Sequence, residues 1–135
     1  MRIKSLPMPP LATIYHPIEL LCSVCEEVAA VFSFTRDDRN RPCVLYQGLT
    51  PKRFLDKENK EKIFGFLAKN QLKKLHHFLE EKYQKWDMMG IDAYCPECDK
   101  IYCRSHYHPI PERENGYYDC TYATCPENHR RMIDD

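Results

Sequence analysis

The sequence predicts an α+β fold, and three features carry that expectation. Val28-Ala29-Ala30-Val31-Phe32-Ser33-Phe34-Thr35 and Pro42–Gln47 are rich in β-branched and aromatic residues and flank the charged run Arg36–Arg41, the pattern of a β-hairpin. Between Thr50 and Trp86 the residues Phe64, Ala68, Leu72, Leu75, Leu79, Tyr83 and Trp86 recur every three or four positions, which predicts one long amphipathic helical stretch. Cysteine and histidine pairs bracket both, at Cys22–Cys25 and again from Cys95 to His129.

Taken in order, residues 1–17 form a proline-rich arm expected to be extended, because each proline removes an amide donor and restrains the residue before it. The hairpin follows. Thr50-Pro51 then reads as a helix start, threonine as cap and proline in the first turn, and Gly65 with the polar run Asp56–Lys62 marks where the helical stretch divides in two. Residues 51–87 carry ten Lys or Arg against six Asp or Glu, which is read as a solvated helix face. His76 and His77 lie on that helix far from any cysteine and read as surface or partly buried side chains. Cys43, on the second hairpin strand, reads as a small buried hydrophobe. Beyond Gly90 the pattern turns irregular, with short strands expected at Ile101-Tyr102 and Gly116–Asp119, and Met132–Asp135 reads as an acidic tail.

Composition narrows the function classes. Lys plus Arg equals Asp plus Glu at 20 each, so the chain presents no large field of one sign for nucleic acid or an anionic membrane. Prolines 7, 9, 10 and 17 interrupt any apolar region behind the basic opening Met1–Ser5, so neither a secretory signal nor a membrane span is expected. Eight cysteines without an export signal point to a reducing, cytoplasmic setting, where metal binding is expected in place of disulfides.

The ligand spacing carries the chemistry. Cys95-Pro96-Glu97-Cys98 is a Cys-x2-Cys knuckle whose two thiolates can reach one tetrahedral ion at about 2.3 Å. Cys103-x2-His106 repeats the spacing four residues on, too close to share that ion easily, so each pair awaits another. Cys22-Ser23-Val24-Cys25 lies upstream, and Cys120, Cys125 and His129 lie downstream, of which two are needed. Eight thiolate and imidazole ligands make two closed four-coordinate sites. Such donors suit zinc over hard cations, and closed sites are structural. Two Zn2+ ions are therefore expected in one domain over 18–135, with 26–94 inserted and 95–135 the C-terminal ligand region.

The order Cys22/Cys25, Cys95/Cys98, Cys103/His106 and a last pair resembles the cross-brace, treble-clef zinc fingers of the RING and FYVE type. The resemblance implies that the first and third pairs share one ion and the second and fourth the other. A ribbon pairing, with Cys22, Cys25, Cys95 and Cys98 on one ion, is the alternative. FYVE domains carry a basic run before the central cysteines, where this chain has Ile91-Asp92-Ala93-Tyr94, so the RING-like ubiquitin-ligase domains are the nearer likeness. In that family an aliphatic residue in the first knuckle and a proline after a late cysteine dock the conjugating enzyme, and an arginine after the last ligand orients the loaded ubiquitin. Val24, Pro126 and Arg130 fall in the matching places.

The function implied is a zinc-binding protein-interaction module, in its sharpest form a RING-like scaffold. It would recruit an E2-like conjugating enzyme for transfer of ubiquitin or a ubiquitin-like protein, with no catalytic residue of its own. A structural zinc-finger subunit or a nucleic-acid module using Tyr117, Tyr118 and Tyr122 is the alternative, the latter disfavoured by balanced charge. A zinc enzyme has room in the surplus of Cys43, His108 and His129, but neither His-Glu-x2-His nor the deaminase signature is present.

Overall fold

The computed structural model describes residues 2–5 and 17–135. Strands β1 (Arg2–Ser5), β2 (Ile18–Leu21), β3 (Val28–Arg36), β4 (Pro42–Gln47) and β5 (Arg53–Asp56) form an antiparallel sheet in sequence order. The expected hairpin is β3–β4, with Arg36 opposite Pro42 and the turn closed by amide bonds from Arg39 and Arg41 to the Asp37 carboxylate. Of the proline-rich arm, residues 1 and 6–16 lie outside the described residues, whereas Arg2–Ser5 pair with Leu21–Ile18 as a fifth strand.

One face of this sheet is built by alternation. Phe32 pairs with Ile18 and Tyr46, Ala30 with Leu20, and Val44 with Phe34 and Leu55, so these side chains lie on one side. All but the partly buried Phe34 are fully buried there, and they join the helices in one continuous cluster.

The helical expectation from Thr50 is corrected. Thr50 does not cap a helix; its hydroxyl donates to Asp92 at 2.6 Å, and Arg53–Asp56 continues the sheet because Leu55 packs opposite Val44. The helical stretch is divided in two, as helix α1 (Lys60–Ala68) and helix α2 (Leu72–Lys82). Their break falls not at Gly65, which lies inside α1, but at Asn70, whose φ of 55° is a left-handed residue that ends the first helix. The buried stripe is Ile63, Phe64 and Leu67 on α1 and Leu72, Leu75, His76 and Leu79 on α2; Ala68 and Trp86 stand outside it, exposed. His76 is thus a core residue at 1% exposure, while His77 is exposed. No helix among the described residues is long and apolar enough to cross a membrane.

The C-terminal part holds a two-stranded ribbon, β6 (Tyr94–Cys95) and β7 (Lys100–Ile101), a one-turn helix α3 (Arg104–Tyr107), and a three-stranded sheet. That sheet is β8 (Ile110–Glu114), β9 (Tyr117–Thr124) and β10 (Arg130–Asp134), with β9 central. The expected acidic tail is instead mostly strand β10, since Ile133 and Asp134 are buried and Asp134 accepts from Arg53 at 2.8 Å and from the Tyr118 hydroxyl at 2.6 Å.

Candidate metal centres

Three tight turns aim the ligands. In the first, Glu26 N–H donates to Cys22 C=O at 3.0 Å with Glu26 at φ 65°; in the second, Asp99 N–H donates to Cys95 C=O at 2.8 Å with Asp99 at φ 55°. The third closes the β9–β10 connection, with Asn128 N–H on Cys125 C=O at 2.9 Å and Asn128 at φ 70°. A residue in the left-handed region folds each chain back so that the side chains before it converge. Cys103 and His106 come instead from the start of α3, where His106 N–H donates to Cys103 C=O at 3.0 Å.

Two clusters result. Cys22, Cys25, Cys103 and His106 form one; Cys95, Cys98, Cys125 and His129 form the other, with all ligand atoms of each within 4.8 Å of one another. For thiolates and an imidazole around an ion at about 2.3 and about 2.0 Å, a tetrahedron has S···S edges of about 3.8 Å and S···N edges of about 3.5 Å. The first cluster has Cys25 Sγ to Cys103 Sγ at 3.6 Å, with His106 Nδ1 at 3.6 Å from Cys22 and 3.2 Å from Cys103. In the second, Cys98 Sγ is 3.7 Å from Cys125 Sγ, and His129 Nδ1 lies 3.8, 3.3 and 3.4 Å from Cys95, Cys98 and Cys125. Each cluster could hold one metal ion, and the first and third pairs share one cluster while the second and fourth share the other. The ribbon alternative is therefore not the arrangement found.

The local electrostatics also suit a cation. Burial opposes ionisation of Cys22, but hydrogen bonding with the backbone of Cys103, Cys25 and Val24 outweighs it and brings the thiol down to about 7. At Cys95, burial pushes the thiol up to about 11 against a lowering backbone hydrogen bond with Cys98, and the neighbouring Cys98 and Cys125 thiols add to the rise. Three thiolates this close repel one another, and a divalent ion at their centre reverses that sign. Backbone amides at Val24 and His129 point at Cys22 Sγ and Cys125 Sγ, each at 3.4 Å. A Glu97 carboxylate oxygen lies 3.1 Å from His129 Nε2, on the side of the ring away from the sulfurs that Nδ1 faces.

Of the expected ligands, Cys120 stands outside both clusters. It sits in mid-β9 opposite Glu112, its buried sulfur 3.7 Å from the Asp119 carboxylate, while Cys125 and His129 occupy the turn beyond. Cys43 is buried on β4, also outside the clusters. Val24 is 54% exposed on the first knuckle, and Pro126 is exposed on the third turn. Arg130 is exposed too, its guanidinium 3.8 Å above the Tyr122 ring and 3.3 Å from Glu112.

Two residues that sequence reasoning missed set the frame around the sites. The buried Asp92 carboxylate accepts from the Tyr46 hydroxyl, from Leu49 and Thr50 amides at 3.0 and 2.8 Å, and from the Thr50 hydroxyl. Arg131 reaches from β10 to the carbonyls of Met89, Ile91 and Tyr94 at 3.2, 2.7 and 3.1 Å, and to the Tyr107 hydroxyl at 3.1 Å.

A family model described as a domain of unknown function, DUF8328, matches residues 13–135. The chain belongs to this family. No curated protein and no solved structure matches the chain.

Proposed function

We propose that this chain is a zinc-stabilised protein-interaction module, with one structural Zn2+ in each cluster, and that its sharpest form is a RING-like treble-clef scaffold recruiting a conjugating enzyme. The observation that carries the reading is the interleaving of the two Cys3His sets, which is the order of the cross-brace fingers the sequence resembles. Three cysteines and one histidine complete a tetrahedron and leave no open position for a substrate or water, which argues against a zinc enzyme. Soft thiolates select zinc over hard cations.

The docking half of the reading rests on Val24, Pro126 and Arg130. An exposed valine on one knuckle and an exposed proline on the turn of the other site are apolar groups that no core packing requires. Such a scaffold holds the partner's thioester in a reactive orientation and supplies no nucleophile. Tyr118 is engaged with Thr121 and Asp134, and Tyr117 lies opposite Glu114 in the hairpin, so these two rings make a poor platform for nucleic acid.

The test has two stages. Elemental analysis of protein purified without chelator should give two zinc ions per chain. Single-turnover discharge of ubiquitin or a ubiquitin-like protein from its conjugating enzyme onto free lysine should then be accelerated by the wild type. Val24→Arg should abolish this by placing an unpaired charge on an apolar surface, and Arg130→Ala should slow discharge while partner binding persists. Two zinc ions without any acceleration would leave the interaction-module reading and remove the ligase form.

A further inference from the structure

The two clusters are not equivalent in their access to solvent. In the first, Cys25 is exposed, whereas in the second no cysteine is: Cys95 and Cys125 are buried and Cys98 is only half-buried. The second cluster also has the Glu97 carboxylate 3.1 Å from His129 Nε2. For His106 among the described residues, no such carboxylate lies within 4.0 Å. Cys25 has a resolving neighbour as well, since its Sγ lies 3.6 Å from Cys103 Sγ on a different element.

We propose that Cys25 is a modification site for peroxides, through which the first cluster alone gives up its ion. The inference rests on the zinc half of the function proposed above and not on the ligase half. The Cys25 thiolate attacks one oxygen of hydrogen peroxide; an S–O bond forms, the O–O bond breaks and hydroxide leaves, giving a sulfenic acid. The Cys103 thiolate then attacks the Cys25 sulfur; an S–S bond forms, the S–O bond breaks and a second hydroxide leaves. Two sulfurs have together lost two electrons, and the peroxide has taken them. Cys22 and His106 remain as only two ligands, and two ligands do not retain zinc. Closing the bridge needs the sulfurs to move from 3.6 Å to about 2.05 Å, a local shift of the Cys22–Cys25 knuckle. Because thiol oxidation stops at a disulfide here, a dithiol reductant restores the site.

The experiment uses the full-length zinc-loaded protein. Zinc content is measured first, then hydrogen peroxide is added in steps while released zinc is followed with a chromogenic chelator and cysteines are mapped by mass spectrometry. One equivalent of zinc should leave in a first phase, together with a Cys25–Cys103 linked peptide, while Cys95, Cys98 and Cys125 stay reduced. Reductant plus zinc should return the content to two. In the untreated protein, N-ethylmaleimide should label Cys25 before any second-cluster cysteine, a reading that needs no variant. Glu97→Gln should bring the second release closer to the first. Protein isolated without zinc would fail the function reading itself. With two ions bound, simultaneous release, first modification of a second-cluster cysteine, or a Cys22–Cys25 bridge would each overturn the proposal.

Discussion

Arg131 commits its guanidinium to the carbonyls of Met89, Ile91, Tyr94 and Met132 and to the Tyr107 hydroxyl, and this fork is what a lysine cannot copy. Arg131→Lys should therefore cost about 3 kcal/mol, since hydrogen bonds to charged groups contribute roughly 1.5–3 kcal/mol each and the orphaned carbonyls are partly buried. The denaturation midpoint measures it, and a loss below about 1 kcal/mol would deny Arg131 this role. His76 gives a pH prediction. Burial first, then Arg131 and His77, lower it to about 3, and its Nδ1 accepts the Ile91 amide at 3.0 Å, so a proton there would remove that acceptor. The Glu80 carboxylate, 3.6 Å from Nε2, lies beyond hydrogen-bond reach and does not offset the burial. The folded pKa is below the unfolded value near 6.5, so the unfolded chain binds more protons between the two. Stability is complete above pH 6.5 and falls on acidification toward 3, by up to about 1.4 kcal/mol per pH unit. Urea unfolding at pH 7.5, 6.5 and 5.5 should show the decline beginning below 6.5, and His76→Gln, which keeps an acceptor, should flatten it. Gly90 explains how the ring fits: at φ 74° it turns the chain where any Cβ would strike the imidazole.

Helix α2 shows what periodicity can and cannot deliver. Leu72, Leu75 and Leu79 are 1% exposed or less, and truncating the middle one, Leu75→Ala, should destabilise by about 2–5 kcal/mol through lost burial and a cavity. Thermal unfolding with metal content held at two ions reads this directly. The hairpin β3–β4 and the buried face of α2 were legible because apolar spacing at two and at three to four records which side of each element meets the core, whereas on α1 only Phe64 of the expected stripe is buried, beside Ile63 and Leu67. Strand β5 was not legible. Thr50-Pro51 has the local chemistry of a helix start, but Asp92, 42 residues away, takes the Thr50 amide and hydroxyl and holds a bend there that leads into β5. Strand β10 was hidden for a similar reason: Asp134 reads as a solvated tail until Arg53 and Tyr118 are brought to it by the fold. The Cys and His pairs that form the two clusters were legible by spacing, and the resemblance implied how they divide. Choosing Cys125 and His129 over Cys120 needed the β9–β10 turn at Asn128, which places the first two around one point and leaves Cys120 on the strand.

At the scale of the molecule, the segment 95–106 belongs to both clusters, with Cys95 and Cys98 in one and Cys103 and His106 in the other. It is tied to the first knuckle by the Ser23 amide on Ile101 C=O at 2.8 Å, and α3 is tied to the end of the large sheet by Arg104 on Leu49 C=O at 2.6 Å. Ligands interleaved in this way are coupled, because emptying either cluster loosens the segment 95–106 that presents two ligands of the other, so loss of one ion weakens the other site without expelling its ion. With zinc in both clusters, as proposed above, its binding would be folding free energy shared between the sites, on the order of 10–16 kcal/mol for small zinc-finger peptides, and the sites should be positively coupled. Cys98→Ser should weaken zinc at the first cluster by about tenfold, a coupling of ~1.4 kcal/mol, and should loosen the β9–β10 turn that carries Cys125 and His129. Cys43→Ser, which changes a buried thiol outside both clusters, should keep two ions. Competitive chelator titration of both variants, with far-ultraviolet circular dichroism, separates the cases. If Cys98→Ser retains one ion with wild-type affinity, the clusters are independent beads on the chain and the interleaved order carries no mechanical consequence.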